Sequence, residues 1–549
     1  MNKKQLPYLL IILFTTTLFS CQQEKSEENN ETIRSASIKQ YISVLANDSL
    51  QGRRPFTIGE TKTVNYLATQ FKEMGLEPGN AGSYIQKVPM VEITSTPSET
   101  MEITGGKTNI NLKANKDFVA FTRREQANIE LKKSPLIFAG FGIVAPEYNW
   151  NDYKNLDVKG KTVIVLVSDP GFKSNDKTVF RGDTMTYYGR WTYKFEEAAR
   201  QGAAGVIIIH QTDAASYGWS VITNSNTGAR LYLQEKDKHA SRCKLEGWIT
   251  EEAATKLLAN AGITGDIRNY ARKKDFKAVS LNENLTISLK NKLKYNTSQN
   301  VIATIKGTKR PNEYVIYTAH WDHFGIGPKI NGDSIYNGAV DNASGIAAML
   351  SVAKAFREAK QKPERSIVFL AVTGEEQGLL GSEYYASNPV YPLNKTVANL
   401  NMDALGAYGK TKDISIKGKG QNEVEDYLTA EIEKDKLYAV GDQRPSAGSY
   451  YRSDHFNFAK VGVPAVDVGN GIDSYEKGKE WGAAQKKLYN DKKYHQPSDD
   501  YTNAFNADGI TQIANILFNV GYKISNETTF PAWKKGSEFK AVRDKSLSK

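Results

Sequence analysis

Two cysteines in 549 residues leave no material for a disulfide framework or for a cysteine-rich zinc finger. Histidine is almost as scarce, at six. A metal centre here must therefore rest on carboxylates and very few imidazoles, and each histidine can be weighed singly. Beyond the N-terminal leader, no stretch reaches the ~18 apolar residues of a membrane span. There is no internal repeat. The 72 Lys and Arg outnumber the 61 Asp and Glu, but they fall in short pairs such as Lys273-Lys274 and Lys486-Lys487. No basic run is interleaved with aromatics, so no nucleic-acid partner is expected, and a solvated Lys-rich surface is the simpler reading. What is present is a globular mixture. With 40% hydrophobic and 24% charged residues, the chain has material for cores and too little net charge for general disorder. One core stops growing near ~250–300 residues, so two domains or more are expected.

The N-terminus reads as an export signal. Lys3 and Lys4 precede Leu9-Leu10-Ile11-Ile12-Leu13-Phe14, an apolar stretch too short to span a bilayer. Leu18-Phe19-Ser20-Cys21 follows and resembles the lipobox of bacterial lipoproteins, with Phe19 where a smaller residue is usual. The resemblance implies a signal peptide over residues 1–20, lipidation of Cys21, and a polar, acidic tether over residues 21–34. The expected product is exported and lipid-anchored in the bacterial cell envelope, periplasmic or surface-facing. Ordinary cleavage to a soluble product is the alternative. With Cys21 acylated, Cys243 is the one free thiol, read as a buried small hydrophobe.

Residues 35–110 begin with two helical patterns. Ile38, Tyr41, Ile42 and Leu45 recur at helical spacing, as do Val64, Leu67, Phe71 and Met74. Gly52-Arg53-Arg54-Pro55 separates them, and Gly75 ends the second. Residues 111–285 read as an insertion with short β runs, at 135–144 and 162–167, and a helix at 194–200. From residue 286 the pattern becomes α/β. Apolar strands at 301–305, 314–319, 365–372, 396–402 and 463–468 alternate with helices such as 345–356. That alternation argues a sheet with helices on both faces.

In such sheets, active residues collect past the carboxyl ends of the strands. The strand at 314–319 runs into His320-Trp321-Asp322, and 365–372 into Thr373-Gly374-Glu375-Glu376. The strand at 396–402 ends at Asp403. Asp341-Asn342 precedes the helix at 345, and His495 lies near the C-terminal end. Taken singly, each has a plain structural reading: an Asp before a helix is usually an N-cap, and a Glu pair is usually a solvated face. Together they offer two imidazoles and three carboxylates to a paired-metal centre, plus an adjacent carboxylate free to act as a base.

Ala319-His320-Trp321-Asp322-His323, Gly338-Ala339-Val340-Asp341-Asn342-Ala343-Ser344-Gly345, Thr373-Gly374-Glu375-Glu376-Gln377-Gly378-Leu379, Asn401-Met402-Asp403 and Tyr494-His495 resemble the M28 family of di-zinc aminopeptidases. The insertion resembles a protease-associated (PA) domain. Its signals are Asn155-Leu156-Asp157-Val158-Lys159-Gly160-Lys161 and the run from Glu196 through Gly202-Ala203-Ala204-Gly205 to Ile207. The resemblance implies a zinc-exopeptidase-type mixed sheet flanked by helices, with an inserted, mainly-β PA domain serving as a non-catalytic lid or partner surface. It implies two zinc ions with Asp341 bridging, His320 and Asp403 on one ion, and Glu376 and His495 on the other. Glu375 would be the general base toward a metal-activated water and then toward the leaving amine. Asp322 would orient His320, and Tyr494 would stabilise the oxyanion. A cis peptide would follow Asp341. Asp454, within Ser453-Asp454-His455-Phe456, and Tyr451 in the loop before it are candidate substrate contacts. His323 and His455 read as structural or rim residues.

The implied activity is removal of N-terminal residues from peptides. A carboxypeptidase or glutamyl-peptide hydrolase needs a basic pocket for a terminal carboxylate, which the sequence does not locate. A glutaminyl cyclase would use one zinc, and a non-catalytic relative would lack ligands that are present here.

Overall fold

The computed structural model describes residues 32–273 and 275–548. The leader, Cys21 and most of the tether lie outside them. Residues from Ile33 onward form one compact unit. No helix among the described residues is long and apolar enough to cross a membrane.

The catalytic half is a mixed sheet between helices. Its centre is four parallel strands in the spatial order Arg365–Val372, Arg310–His320, Thr396–Asn401 and Ala465–Asn470. Every residue of Arg365–Val372 and Thr396–Asn401 is buried, as continuous apolar runs inside a parallel sheet require. The long strand Val279–Ile305 pairs antiparallel with Arg365–Val372 on one edge. On the other edge Asp413–Ile416 pairs antiparallel with Ala465–Asn470, and Tyr438–Val440 follows it.

Helices Ser35–Leu45, Ser344–Glu358 and Asp508–Asn526 cover one face. The first buries Ile38, Ile42 and Leu45, the spacing seen in the sequence. Helix Ser344–Glu358 is buried over almost its whole length, and its run of alanines and Gly345 lets it lie close to the sheet. This seats the loop before it, which carries Asp341, directly on the strand ends.

The insertion joins through two strands rather than through linkers. Strands Ile85–Pro97 and Val279–Ile305 pair over their shared length and continue from the catalytic sheet into the insertion. The boundary at residues 110 and 111 therefore moves toward the N-terminus. Met101 and Ile103 pack in the insertion's core with Phe118, Ile164 and Ile207. The helix expected at 194–200 runs over Trp191–Arg200, and Glu251–Asn260 is a helix that the short β runs did not suggest. Its back face is a second apolar cluster that contains Cys243, fully buried, with burial raising its thiol pKa well above normal.

The insertion docks on the catalytic half through aromatic packing. Met185 and Tyr187 meet Tyr451, Phe456 and Phe539. Lys460 pairs with Glu196 across the joint at 2.8 Å.

Candidate metal centre

The strand ends bring the predicted residues together. His320 closes its strand, and Asp403 lies two residues beyond Thr396–Asn401. Glu375 and Glu376 occupy a single 3₁₀ turn, Glu375–Gln377. Asp341 sits in the irregular segment Ala339–Ala343, and the Asp341–Asn342 peptide is cis. His495 follows helix Gly478–Lys492 with a left-handed φ of 58°.

Asp341 is the hinge of the arrangement. Its Oδ1 is 3.2 Å from His320 Nε2, and its Oδ2 is 3.3 Å from His495 Nε2. Asp403 Oδ1 is also 3.2 Å from His320 Nε2. Glu376 Oε2 is 3.3 Å from His495 Nε2. One carboxylate is thus shared between two imidazoles, each of which faces one further carboxylate. Glu375 Oε2 stands 3.9 Å from His320 Nε2, near the ligands but in contact with neither imidazole.

Two further findings modify the expected roles. His323, expected as a structural or rim residue, is buried with Nδ1 at 2.5 Å from Glu376 Oε1. Ligand atoms of His323, Asp341 and Glu376 converge, as do those of His320, Glu375 and Asp403. Only Nδ1 of His323 is engaged in that hydrogen bond; its Nε2 has no partner, and neither has buried His495 Nε2, which has two carboxylate oxygens at 3.3 Å. An imidazole nitrogen that faces carboxylates without bonding them fits a shared cation. His323 then orients Glu376. Asp322 also departs from its expected contact. The main-chain carbonyl of Asp322 is 3.1 Å from His320 Nδ1, while its carboxylate is 3.8 Å away. That carboxylate instead accepts the N–H of Glu375 at 3.1 Å, which fixes the turn carrying the glutamates.

The electrostatics also favour a cation. Burial, with repulsion from Asp403, Asp454 and Asp341, pushes Glu375 well above the usual carboxyl range. Burial, Asp341 and Glu375 do the same to Glu376. Burial opposes a charged His320, but Glu375, Asp341 and Asp403 outweigh it and raise its pKa. Carboxylates this crowded in a buried site need positive charge.

Residues that local patterns did not single out hold the loop. Asp499 accepts the main-chain N–H groups of Val340 and Asp341 at 3.1 and 3.0 Å. Asn342 accepts N–H bonds from Gly345 and Ala404 and donates to Met402 O, tying the Asp341 loop to the Asp403 strand end. Arg53, fully buried, donates to the carbonyls of Trp321, Leu45, Asn337 and Gly338. Gly338 has φ 57°, and a Cβ there would stand 2.1 Å from Asp341 O, so only glycine fits beside the loop.

The remaining candidates fall outside the centre. Tyr451 does not line the site: it is buried in the aromatic joint with the insertion, donating to Glu538 at 2.9 Å. Asp454 is fully buried and accepts the Ser382 hydroxyl at 2.6 Å, so it bears on Glu375 through its charge rather than by touching substrate. Tyr494 is 45% exposed at the rim and stacks on His495 at 3.7 Å. His455 is buried against Tyr450.

Residues 300–521 match peptidase family M28, and residues 133–240 match the PA domain. The segment that carries the metal centre is thus similar to peptidase family M28. Among curated proteins it is 31% identical over 210 residues to a "Probable zinc metalloprotease" of Pyrenophora tritici-repentis (strain Pt-1C-BFP), covering 37% of this chain and 47% of that one. It is 25% identical over 449 residues to "probable leucine aminopeptidase 2" of Aspergillus oryzae (strain ATCC 42149 / RIB 40), covering 80% and 74%. The chain thus spans about half of the first relative's length. Among solved structures, the "Aminopeptidase from Aneurinibacillus sp. strain AM-1" shares the fold at a TM-score of 0.50 and 22% identity, over 91% of this chain and 96% of that one. The segment matched to family M28 contains every residue of the His320–Asp341–Glu376–Asp403–His495 constellation.

Proposed function

We propose that the protein is a zinc-dependent exopeptidase, an aminopeptidase that releases N-terminal residues from peptides. The observation that carries the reading is the Asp341 carboxylate set between His320 and His495, with Glu375 beside it and uncommitted. The M28 match and the aminopeptidase among the relatives point the same way.

The residues would divide the work as follows. His320, Asp403 and one oxygen of Asp341 would hold one zinc ion; Glu376, His495 and the other oxygen would hold a second. What zinc supplies when bound is Lewis acidity toward water and the scissile carbonyl. Glu375 takes the proton of the attacking water and delivers it to the leaving amine nitrogen. Its main-chain N–H, bound by Asp322, keeps the carboxylate aimed. Tyr494, at the rim, is positioned to meet the substrate's developing oxyanion. A free α-amine is held among the acidic groups of the same site.

The test is hydrolysis of an aminoacyl-p-nitroanilide panel, with and without chelator, against the same substrates blocked at the amine. Chelator-sensitive cleavage of free-amine substrates alone supports the proposal. Equal cleavage of blocked substrates would exclude an aminopeptidase. The proposed location rests on the Leu18-Phe19-Ser20-Cys21 motif: a lipid anchor at Cys21 in the bacterial cell envelope, tested by acyl labelling of the wild type and Cys21→Ser.

A further inference from the structure

The two imidazoles that face Asp341 are held by different means. His320 closes a buried strand, its side chain is 1% exposed, and its Nδ1 is 3.1 Å from the Asp322 carbonyl. That is the usual support for a metal-binding histidine, whose second nitrogen is fixed by an oxygen. His495 has none of it. Its side chain is 34% exposed, its left-handed φ of 58° puts it in a turn, and no described residue hydrogen-bonds its imidazole. The element that delivers it adds little. Among the described residues, no strand or helix packs along helix Gly478–Lys492. Its only buried residue is Gly482, and Tyr489 is its one apolar side chain packed on the main core.

What does meet the His495 ring is aromatic. Tyr494 lies nearly parallel to it, with 3.7 Å between centroids and 26° between planes. Phe324 meets it at 4.6 Å and 63°. Tyr494 is the preceding residue, exposed, and sits on the same chain end as His495. Phe324 comes instead from the sheet. It follows His323 and stands at the base of the hairpin formed by Gly325–Ile330 and Asp333–Tyr336. That base is closely packed. A Cβ on Gly52 would stand 2.3 Å from Tyr336 O and 2.8 Å from Gly325 O, so the hairpin lies directly on the main chain there. Arg53 binds the carbonyls of Asn337 and Gly338 just beyond it. Phe324 also meets His323, at 5.0 Å and 73°. One half-buried ring on a fixed base thus touches both histidines that face Glu376.

We propose that Phe324 is a positioning residue: it fixes the His495 imidazole with Nε2 between Asp341 and Glu376, and so sets the affinity of the second metal position. The proposal rests on the two-ion reading above. Without Phe324 the ring is free to turn about its Cβ–Cγ bond toward solvent, since neither a hydrogen bond nor helix packing holds it. Aromatic pairs of this kind change an equilibrium by roughly threefold to tenfold.

The test is stepwise zinc binding to the metal-free protein, read by competition with a zinc-binding dye rather than by turnover. Phe324→Ala should weaken the second equivalent about tenfold and leave the first within about twofold of the wild type. Phe324→Leu, which keeps apolar volume without the ring, should behave as Phe324→Ala does. Phe324→Tyr, which keeps the ring, should bind both ions as the wild type does. Ile326→Ala, which removes an exposed side chain from the same hairpin, should change neither. In a His495→Ala background, Phe324→Ala should shift the remaining weak binding by less than about twofold, because no imidazole is left to hold. The proposal is overturned by a second equivalent unchanged in Phe324→Ala and Phe324→Leu, by equal weakening of both equivalents, or by the same loss in the His495→Ala background. The wild type reads the metal centre separately. Two equivalents bound by the wild type and by Phe324→Ala alike would overturn the role of Phe324 and leave the peptidase reading standing. A wild type that binds no zinc would overturn both.

Discussion

The carboxylate of Asp499 accepts the main-chain N–H of Asp341 at 3.0 Å. It also takes the N–H of Val340, so two successive amides of the loop converge on one side chain. Asp499 therefore sets the height at which Asp341 meets both imidazoles. Replacing Asp499 by alanine should weaken zinc binding roughly 10–100-fold, the usual cost of losing a partner behind the ligands. Asp499→Asn, which keeps one acceptor oxygen, should lose less. Competition with a zinc-binding dye checks both.

Glu375 touches neither imidazole that faces Asp341, and its role is separable from metal binding. Glu375→Gln should retain zinc and thermal stability while losing about 10²–10⁴-fold in kcat. Metal analysis and steady-state kinetics on one sample decide it. Loss of zinc along with turnover would instead make Glu375 a ligand.

Arg53 lies under the site with its guanidinium divided among four carbonyls. Arg53→Met should cost about 3–5 kcal/mol in urea unfolding, because four buried carbonyls lose their donor and the nearby carboxylates lose a neighbouring positive charge. Arg53→Lys should recover little, since an ammonium cannot reproduce the fork.

Lys194 is buried in the insertion beside Asp169 and Asp152. Burial, partly offset by those acids, lowers its pKa to about 7. The unfolded chain then binds the proton that the folded chain has released between pH 7 and the ordinary lysine pKa. The Lys194 contribution to stability therefore rises with pH across that window, by up to about 1 kcal/mol per pH unit. The stability difference between wild type and Lys194→Met should shift in favour of the wild type from pH 7 to 9.5, read by urea midpoints. No shift would mean that Lys194 titrates normally.

Much of the site was legible because its chemistry is carried at strand ends. His320, Glu375, Glu376 and Asp403 each follow an apolar run that could only be a buried strand. What was not legible depends on contacts across long separations. Arg53 sits in Gly52-Arg53-Arg54-Pro55, which reads locally as a break between helices, and its partners lie near residues 45, 321 and 337. Asp499 follows His495 in a segment with no periodicity. His323 has no local feature that separates a rim histidine from one buried on Glu376. Tyr451 differs: it lies in a 3₁₀ turn, Ser449–Tyr451, rather than an open loop, and the insertion covers it. The insertion boundary was missed for a related reason, since Ile85–Pro97 and Val279–Ile305 each run through both halves without a break in their alternation.

The central claim is that two zinc ions flank Asp341 and drive peptide-bond hydrolysis. The most direct measurement is leucyl-p-nitroanilide hydrolysis as zinc is titrated into exhaustively chelated protein, with bound metal counted at each point. The account predicts no activity in the metal-free protein and full activity only as the second equivalent binds. Activity that survives chelation, or saturation with a single ion bound, would contradict it.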